Sequence, residues 1–518
     1  MVYLAIIFHM HQPYYRNLLT HEADMPWVRL HGTKDYLDML QILDRFPAIS
    51  QTINLVPSLL EQIEDFQKRK VKDKYFELSL KSAESLSEDE KNFIKSNFFS
   101  INKERILSLF PRYYELYNKK QTGQEFTTQD YLDLQVLFNL AWIDPSFRNS
   151  MPELSTITLK ARFFCEKDKQ VVLGKQLEIL KDIIPAYRKA VAANNRIEIT
   201  VSPYYHPILP LLYSTNIAKE ANPKTILPKV KFAYPQDART QINEAVKFFK
   251  SRFKKYPTGM WPSEESVSEH ITDFFLEAGI NWIVTDEAVL FKSIKRKKRD
   301  TNLLYQPHYV KTDKGKLNII FRDRNLSDLI GFEYHKMKTE TAVDDFMIHM
   351  QNISAAFKKE DVLIAVAMDG ENAWEFYPND GRDFLELLYK KLSESKIVKT
   401  TTIRDYLKNH PAQFEIKRLA AGSWIYGDFN KWIGNPHKVK AWEWLAKARA
   451  ELEEAKLPRA KRILAWKHMY ILEGSDWFWW YGEDPHGGFD RLYRAHMANL
   501  YTIIGKEPPE YLKTPLVP

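Results

Sequence analysis

Three clusters of side chains in the sequence could do chemistry. The first is His9 and His11, which flank a methionine and lead into Gln12-Pro13. If residues 2–8 form a strand, positions i and i+2 share a face, so both imidazoles enter one lumen at the strand's end. Such a pair suits two roles. It could supply zinc ligands, with His206 and Asp286 as the further members of a set, or it could hydrogen-bond a polyhydroxylated ligand. The plain alternative is a pair of structural histidines, but two adjacent polar groups are costly to bury idly. The second cluster is Gly259-Met260-Trp261-Pro262-Ser263-Glu264-Glu265. Here an indole face stands beside a carboxylate and can tune its pKa. The competing explanation is a helix N-terminus, with Ser263 as cap and acids in the first turn. The third is Asp369-Gly370-Glu371-Asn372, directly after seven apolar residues, 362–368. Asp-Gly is common in ordinary turns, yet the long buried strand in front of it favours a site. Two carboxylates on different strand ends, facing one aromatic-lined lumen, are what glycosidic bond cleavage requires. One attacks or stabilises the oxocarbenium-like centre and the other protonates the leaving oxygen. The sequence contains neither a Gly-x-Ser-x-Gly nucleophile elbow nor a phosphate-binding P-loop.

The elements that must position these groups follow from periodicity. Apolar runs at 2–8, 197–201, 282–284 and 362–368 each end in polar residues, and helical patterns such as 238–252 and 264–278 lie between them. Buried strands alternating with helices predict a parallel α/β sheet or barrel, an architecture that places its chemistry at the carboxyl ends of the strands. Residues from about 60 to 190 are helix-rich, with a capping box at Ser87–Glu90, and read as a helical insertion between two barrel strands. The last 100 or so residues are also helical. One helix over 489–501 is stopped by Gly505 and Pro508-Pro509.

Composition narrows the class further. Of 518 residues, 44% are hydrophobic and 27% charged, which excludes a disordered or fibrous chain. Aromatic residues make up 14%, and glycine numbers only 17. A net charge of +8 over this length does not demand an acidic polymer as partner. The basic run Lys295–Arg299 has no interleaved aromatic residues and reads as a solvated loop. The single cysteine, Cys165, cannot form an intramolecular disulfide. The first residues lack a basic region and a cleavage site, and no apolar run approaches the ~20 residues needed to span a bilayer. A cytoplasmic protein without a membrane or nucleic-acid partner is the expectation.

Taken in order, the motifs resemble those of glycoside hydrolase family 57, which contains α-amylases, amylopullulanases, 4-α-glucanotransferases and glycogen branching enzymes. His9-Met10-His11-Gln12-Pro13 is similar to the first motif. Arg196-Ile197-Glu198-Ile199-Thr200, continuing into Pro203-Tyr204-Tyr205-His206-Pro207, is similar to the second. Gly259 to Glu264 resembles the third, and Met368-Asp369-Gly370-Glu371-Asn372 the fourth. Gly422-Ser423-Trp424 through Asp428 and Trp432, with Glu473-Gly474-Ser475-Asp476-Trp477, resembles the C-terminal region that completes the cleft. The resemblance implies an incomplete (β/α)7 barrel over residues 1–390, with the insertion at about 60–190, and a helical domain over 391–518. It implies Glu264 as nucleophile and Asp369 as acid/base. The substrate, an α-glucan polysaccharide or maltooligosaccharide, would be held by His9, His11, Gln12, Glu198, His206, Trp261, Glu371, Trp424, Asp428, Trp432, Asp476 and Trp477. No metal or cofactor is implied. Retention of the α-anomer would place the two carboxyl groups about 5–5.5 Å apart. Gln12 and the stretch Met25–His31 resemble the amylopullulanase and α-amylase branch, which implies hydrolysis of α-1,4 bonds with α-1,6 bonds as a further target. Three alternatives stand beside it: a glucanotransferase or branching enzyme using the same residues, a zinc-dependent α-mannosidase- or deacetylase-like enzyme built on His9 and His11, and a glucan-binding protein without catalysis.

Overall fold

The computed structural model describes every residue except Asn194, Asn195, Lys359, Asn372, Glu483, Asp484, Pro485 and Pro518. Asn372, a polar neighbour of Asp369 in the sequence, therefore lies outside the described residues. Seven parallel strands form a closed ring: β1 (Val2–Met10), β2 (Gln51–Leu55), β3 (Ile197–Val201), β4 (Gly259–Met260), β5 (Trp282–Asp286), β6 (Gly315–Arg322) and β7 (Val362–Asp369). Neighbours run in the order β7-β1-β2-β3-β4-β5-β6. The ring closes where Ala365 of β7 pairs with Arg322 of β6. A strand at His308–Thr312 lies antiparallel on β6, and Val398–Thr400 pairs with the start of β1.

Alternation along the strands decides what the lumen contains. Ala5 and Ile7 of β1, Val284 of β5, Ile320 of β6, and Leu363, Ala365 and Ala367 of β7 form an inner core with Trp261 and Trp282. Their neighbours Leu4, Ile6, Phe8, Val362, Ile364 and Val366 belong to the outer core that the helices cover. Continuing the inner series by two residues reaches His9 on β1 and Asp369 on β7, and these two are paired in register. Period-two geometry thus delivers both groups to the top of the lumen.

Helices from Pro57–Gln67 to Glu166–Ala193 fill the interval between β2 and β3, and include the capping box of Ser87 and Glu90. Arg29 is fully buried and ties the helix Trp27–Lys34 to this region through Asp73 (2.7 Å), Asn139 (2.8 Å) and Gln176 (2.6 Å). Beyond the strands, the helices Pro436–Glu454, Arg459–Leu472 and Gly487–Ile503 pack together. The pattern at 264–278 does not form one helix. It breaks into short 3-10 turns at Ser263–Glu265 and Glu269–Ile271 before the helix Thr272–Glu277. Left-handed backbone at Glu264 and Glu265 and exchange of hydrogen bonds between Val267 and Gly422 pull the chain out of helical register. Among the described residues, no helix is long and apolar enough to cross a membrane. Part of the basic run is spent internally, since Arg299 pairs with Glu287 (3.0 Å) and Asp323 (2.7 Å).

Candidate active site

The carboxyl ends of the strands open into a cavity of about 940 Å³. Glu264 and Asp369 both line it, together with His9, His11, Gln12, His206, Glu371, Trp424 and Asp476. Glu264 sits on a tight turn just beyond β4, with φ of 57° there and 51° at Glu265. Left-handed backbone costs a non-glycine residue about 1–3 kcal/mol and persists only where its surroundings enforce it. Here Glu265 N donates to Pro262 O (2.8 Å), Thr285 Oγ1 donates to Glu265 O (2.7 Å), and Trp424 N donates to Glu264 O (3.2 Å). The turn aims the Glu264 carboxyl into the cavity, where Trp424 Nε1 donates to its Oε2 at 2.8 Å. Burial, and after it the charge on Asp369, push Glu264 up to about 8, while the hydrogen bonds from Trp424 and Ser475 pull the other way. When Asp369 holds the proton its repulsion disappears, and the ionised form of Glu264 is the one the indole N–H favours.

Asp369 is placed by β7 and by the turn after it, where Gly370 N donates to His9 O at 2.7 Å. Glycine is favoured here by close approach rather than by its φ angle. A Cβ on Gly370 would lie 2.3 Å from Met10 Sδ and 3.2 Å from His9 O. Glu371 turns down and accepts from His11 N (2.7 Å) and Tyr36 Oη (2.9 Å). Burial, then Asp369, hold it well above the ordinary carboxyl range.

A column of stacked rings floors the site. Trp261 lies on His9 (centroids 4.7 Å apart), His9 on His206 (4.9 Å), and His206 on His11 (3.9 Å). Burial lowers His9 to about 3 and His206 well below the usual imidazole range, so both rings are neutral hydrogen-bonding groups. His9 Nδ1 meets Asn54 Oδ1 at 2.6 Å, His206 Nδ1 meets Ser475 Oγ at 3.1 Å, and His11 Nε2 meets Asp476 Oδ1 at 2.8 Å. His11, His206 and Asp476 offer ligand atoms within 4.8 Å of one another. Yet the two imidazoles lie face to face at 23°. Rings stacked 3.9 Å apart keep their nitrogens in neighbouring, nearly parallel planes, a poor approach to one ion held about 2.0–2.1 Å from each. Asp286, the other acid considered for a zinc set, is held by Arg322 and Arg324. The zinc set suggested by His9 and His11 does not assemble.

Five residues expected to touch substrate stand elsewhere. Glu198 does enter the lumen, but at the start of β3. There it accepts from Thr258 Oγ1 (2.9 Å), Trp282 Nε1 (3.1 Å) and Arg404 N (3.0 Å), and so seals the far end of the barrel. Trp261 is buried beneath His9 and edge-on to Trp424, supporting both without lining the cavity. Asp428 closes a turn on Asn430 N (2.8 Å) and accepts from Asn222 Nδ2 (3.1 Å). Trp432 is fully buried, and its carbonyl accepts from Trp442 Nε1. Trp477 turns inward to donate to Ile471 O at 2.7 Å. The adjacent Trp479 and Trp480 line the cavity instead, with His486 and Phe489. Trp27, His31, Trp142, Glu375, Phe376 and residues 100–104 of the helical insertion line it as well. The aromatic run 477–481 signalled part of this lining without saying which rings point out. Residues 100–104 carry no motif or periodicity that could have announced them.

A closed seven-stranded ring thus opens at the carboxyl ends of its strands into one cavity lined by two carboxyls, stacked histidines and tryptophans. The sequence model of glycosyl hydrolase family 57 matches residues 5–418, and the chain belongs to that family. A curated relative, alpha-amylase 1 of Dictyoglomus thermophilum, is 24% identical over 261 residues, which is 49% of this chain and 32% of that protein. This chain thus corresponds to about a third of that relative's length. Among solved structures, a family 57 branching enzyme from Thermococcus kodakaraensis superposes with a TM-score of 0.60 at 17% identity, covering 97% of this chain and 90% of that one. The alpha-amylase AmyC of Thermotoga maritima superposes at 0.61 and 15% identity, covering 99% and 95%. At such identities these likenesses concern the fold.

Proposed function

We propose that this protein is a retaining α-glucan hydrolase, cleaving α-1,4 bonds with α-1,6 bonds as a further target, in which Glu264 is the nucleophile and Asp369 the acid/base. The observation that carries this reading is the pairing of a turn-mounted Glu264, held by the Trp424 indole, with a strand-mounted Asp369 in one aromatic-walled cavity. Ionised Glu264 attacks the anomeric carbon while Asp369 gives its proton to the departing oxygen. Asp369 then takes a proton from the water that releases the sugar. Neutral His9, His206 and Glu371, with His11 and Asp476, offer hydrogen bonds to the hydroxyls of the reacting unit. The tryptophans that line the cavity offer flat faces to the apolar C–H surfaces of flanking units. The single exposed Cys165 suits a reducing, cytoplasmic setting.

Incubation with amylose, pullulan and maltooligosaccharides, followed by product sizing and anomer determination by NMR, tests the reading. A steady rise of reducing ends with α-configured products is expected. Products longer than the starting oligosaccharide would reassign the same residues to glucan transfer, and β-configured products would refute the nucleophile.

A further inference from the structure

Arg322 ends β6 with its side chain in the lumen, only 6% exposed. Its guanidinium reaches the supports of both acids. Nη1 donates to Ala367 O at 3.1 Å, on the strand that ends two residues later in Asp369. Its guanidinium lies over the Trp424 ring, with Cζ 5.0 Å from the ring centre, and that indole holds Glu264. Nε donates to Asp286 Oδ2 at 2.9 Å. Around it stand Glu265, 3.7 Å from Nε, Asp328, 3.7 Å from Nη2, and Arg324, which shares Asp286. Burial keeps Glu265 well above the ordinary carboxyl range, and Asp286 is the carboxyl within hydrogen-bond reach of the guanidinium. A buried ion pair is often replaceable by apolar side chains without loss of stability, so folding alone does not call for this one. What an apolar residue cannot do is donate to a main-chain carbonyl while placing a delocalised cation over an indole.

We propose that Arg322 is a positioning residue for both catalytic carboxylates, fixing the indole that holds Glu264 and the main chain that carries Asp369. The proposal rests on the catalytic reading of Glu264 and Asp369 given above. Arg322→Lys keeps the charge beside Asp286 but loses the planar fork, and Arg322→Met loses both charge and fork. An ångström of misplacement can cost about 10²-fold in rate. Arg322→Met is expected to lose about that much in kcat with KM little changed, and Arg322→Lys about 10-fold, both measured at a temperature well below each variant's own melting point. Trp424→Phe removes the hydrogen bond that favours ionised Glu264, so the acid limb of kcat/KM moves to higher pH. If Arg322 acts through the indole as well as through the Ala367 carbonyl, its variants move that limb the same way, and the double variant Arg322→Lys with Trp424→Phe loses clearly less than the product of the two single losses. Losses that multiply, or an unmoved acid limb, would overturn the proposal.

Crystal structures of both arginine variants give a readout independent of turnover. Displacement of the Trp424 indole from Glu264 is expected, and an indole still 2.8 Å from Glu264 in both would refute the role. Wild type and Glu264→Gln serve as references. Equal turnover in these two would sink the catalytic reading itself, whereas an inactive Glu264→Gln beside independent arginine effects would sink only this inference.

Discussion

Glu264 bears a cost in the folded protein that Trp424 only partly offsets. The folded chain holds the Glu264 proton up to about pH 8, whereas a solvated glutamate releases it near pH ~4.3. Between these values the folded state binds more protons than the unfolded chain, so the stability contributed by this group falls as pH rises. Glu264→Gln removes that dependence. The variant should melt above the wild type at pH 8, with the margin shrinking steadily toward pH 4.5. Melting curves offset by a constant amount across that range would contradict the raised carboxyl. In activity the same substitution, and Asp369→Asn, should each lose about 10³-fold or more in kcat, roughly 4 kcal/mol of barrier, and normal turnover in either would remove the assignment. His9, Glu264 and Asp369 were legible in the sequence because each follows directly on an apolar run or a turn signal. Glu198 was misassigned because motif membership does not say which end of a strand faces the substrate. The left-handed backbone at Glu264 and Glu265 was illegible, since two glutamates carry no compositional mark of that conformation.

The elements place these groups through a few tight contacts. β1 and β7 run side by side for eight residue pairs, from Val2 with Val362 to His9 with Asp369, so the acid/base inherits its height in the lumen from a register. Gly370 allows β7 to turn across Met10. Gly370→Ala must push against Met10 Sδ and the His9 carbonyl. Overpacking of this kind costs about 1–3 kcal/mol, so a lower melting temperature together with reduced kcat is expected on thermal melts and initial rates. A fully active, equally stable variant would show that the contact is slack. Strands and long helices were readable from alternation and from the 3.6-residue period. The helix expected over 264–278 failed because its apolar spacing was shared by a turn that long-range contacts enforce, and those contacts, from Thr285 and residues 422–424, have no local signature.

Across the whole molecule, the cleft is assembled from regions remote in sequence. Trp27, Trp142 and residues 100–104 supply one part of its walls, and Trp480, His486 and Phe489 supply another. If both parts carry glucan units, Trp27→Ala and Trp480→Ala should each raise KM for maltooligosaccharides about 10-fold, some 1.4 kcal/mol. The increase should grow with chain length, while kcat on the shortest cleaved substrate should change little. Unchanged KM for long chains would assign those rings to packing alone. One further consequence follows from the single residue pair, Ala365 with Arg322, on which the ring of strands closes. Asp369 ends β7, and Glu264 follows β4, three strands away across that closure. The gap between the acids is therefore a chord of the ring. Carboxyls about 5–5.5 Å apart retain configuration, and those about 6.5–9.5 Å apart leave room for water and invert it. On the proposed catalytic reading, the anomeric configuration of the product is therefore tied to the span that β4 to β7 set across that closure.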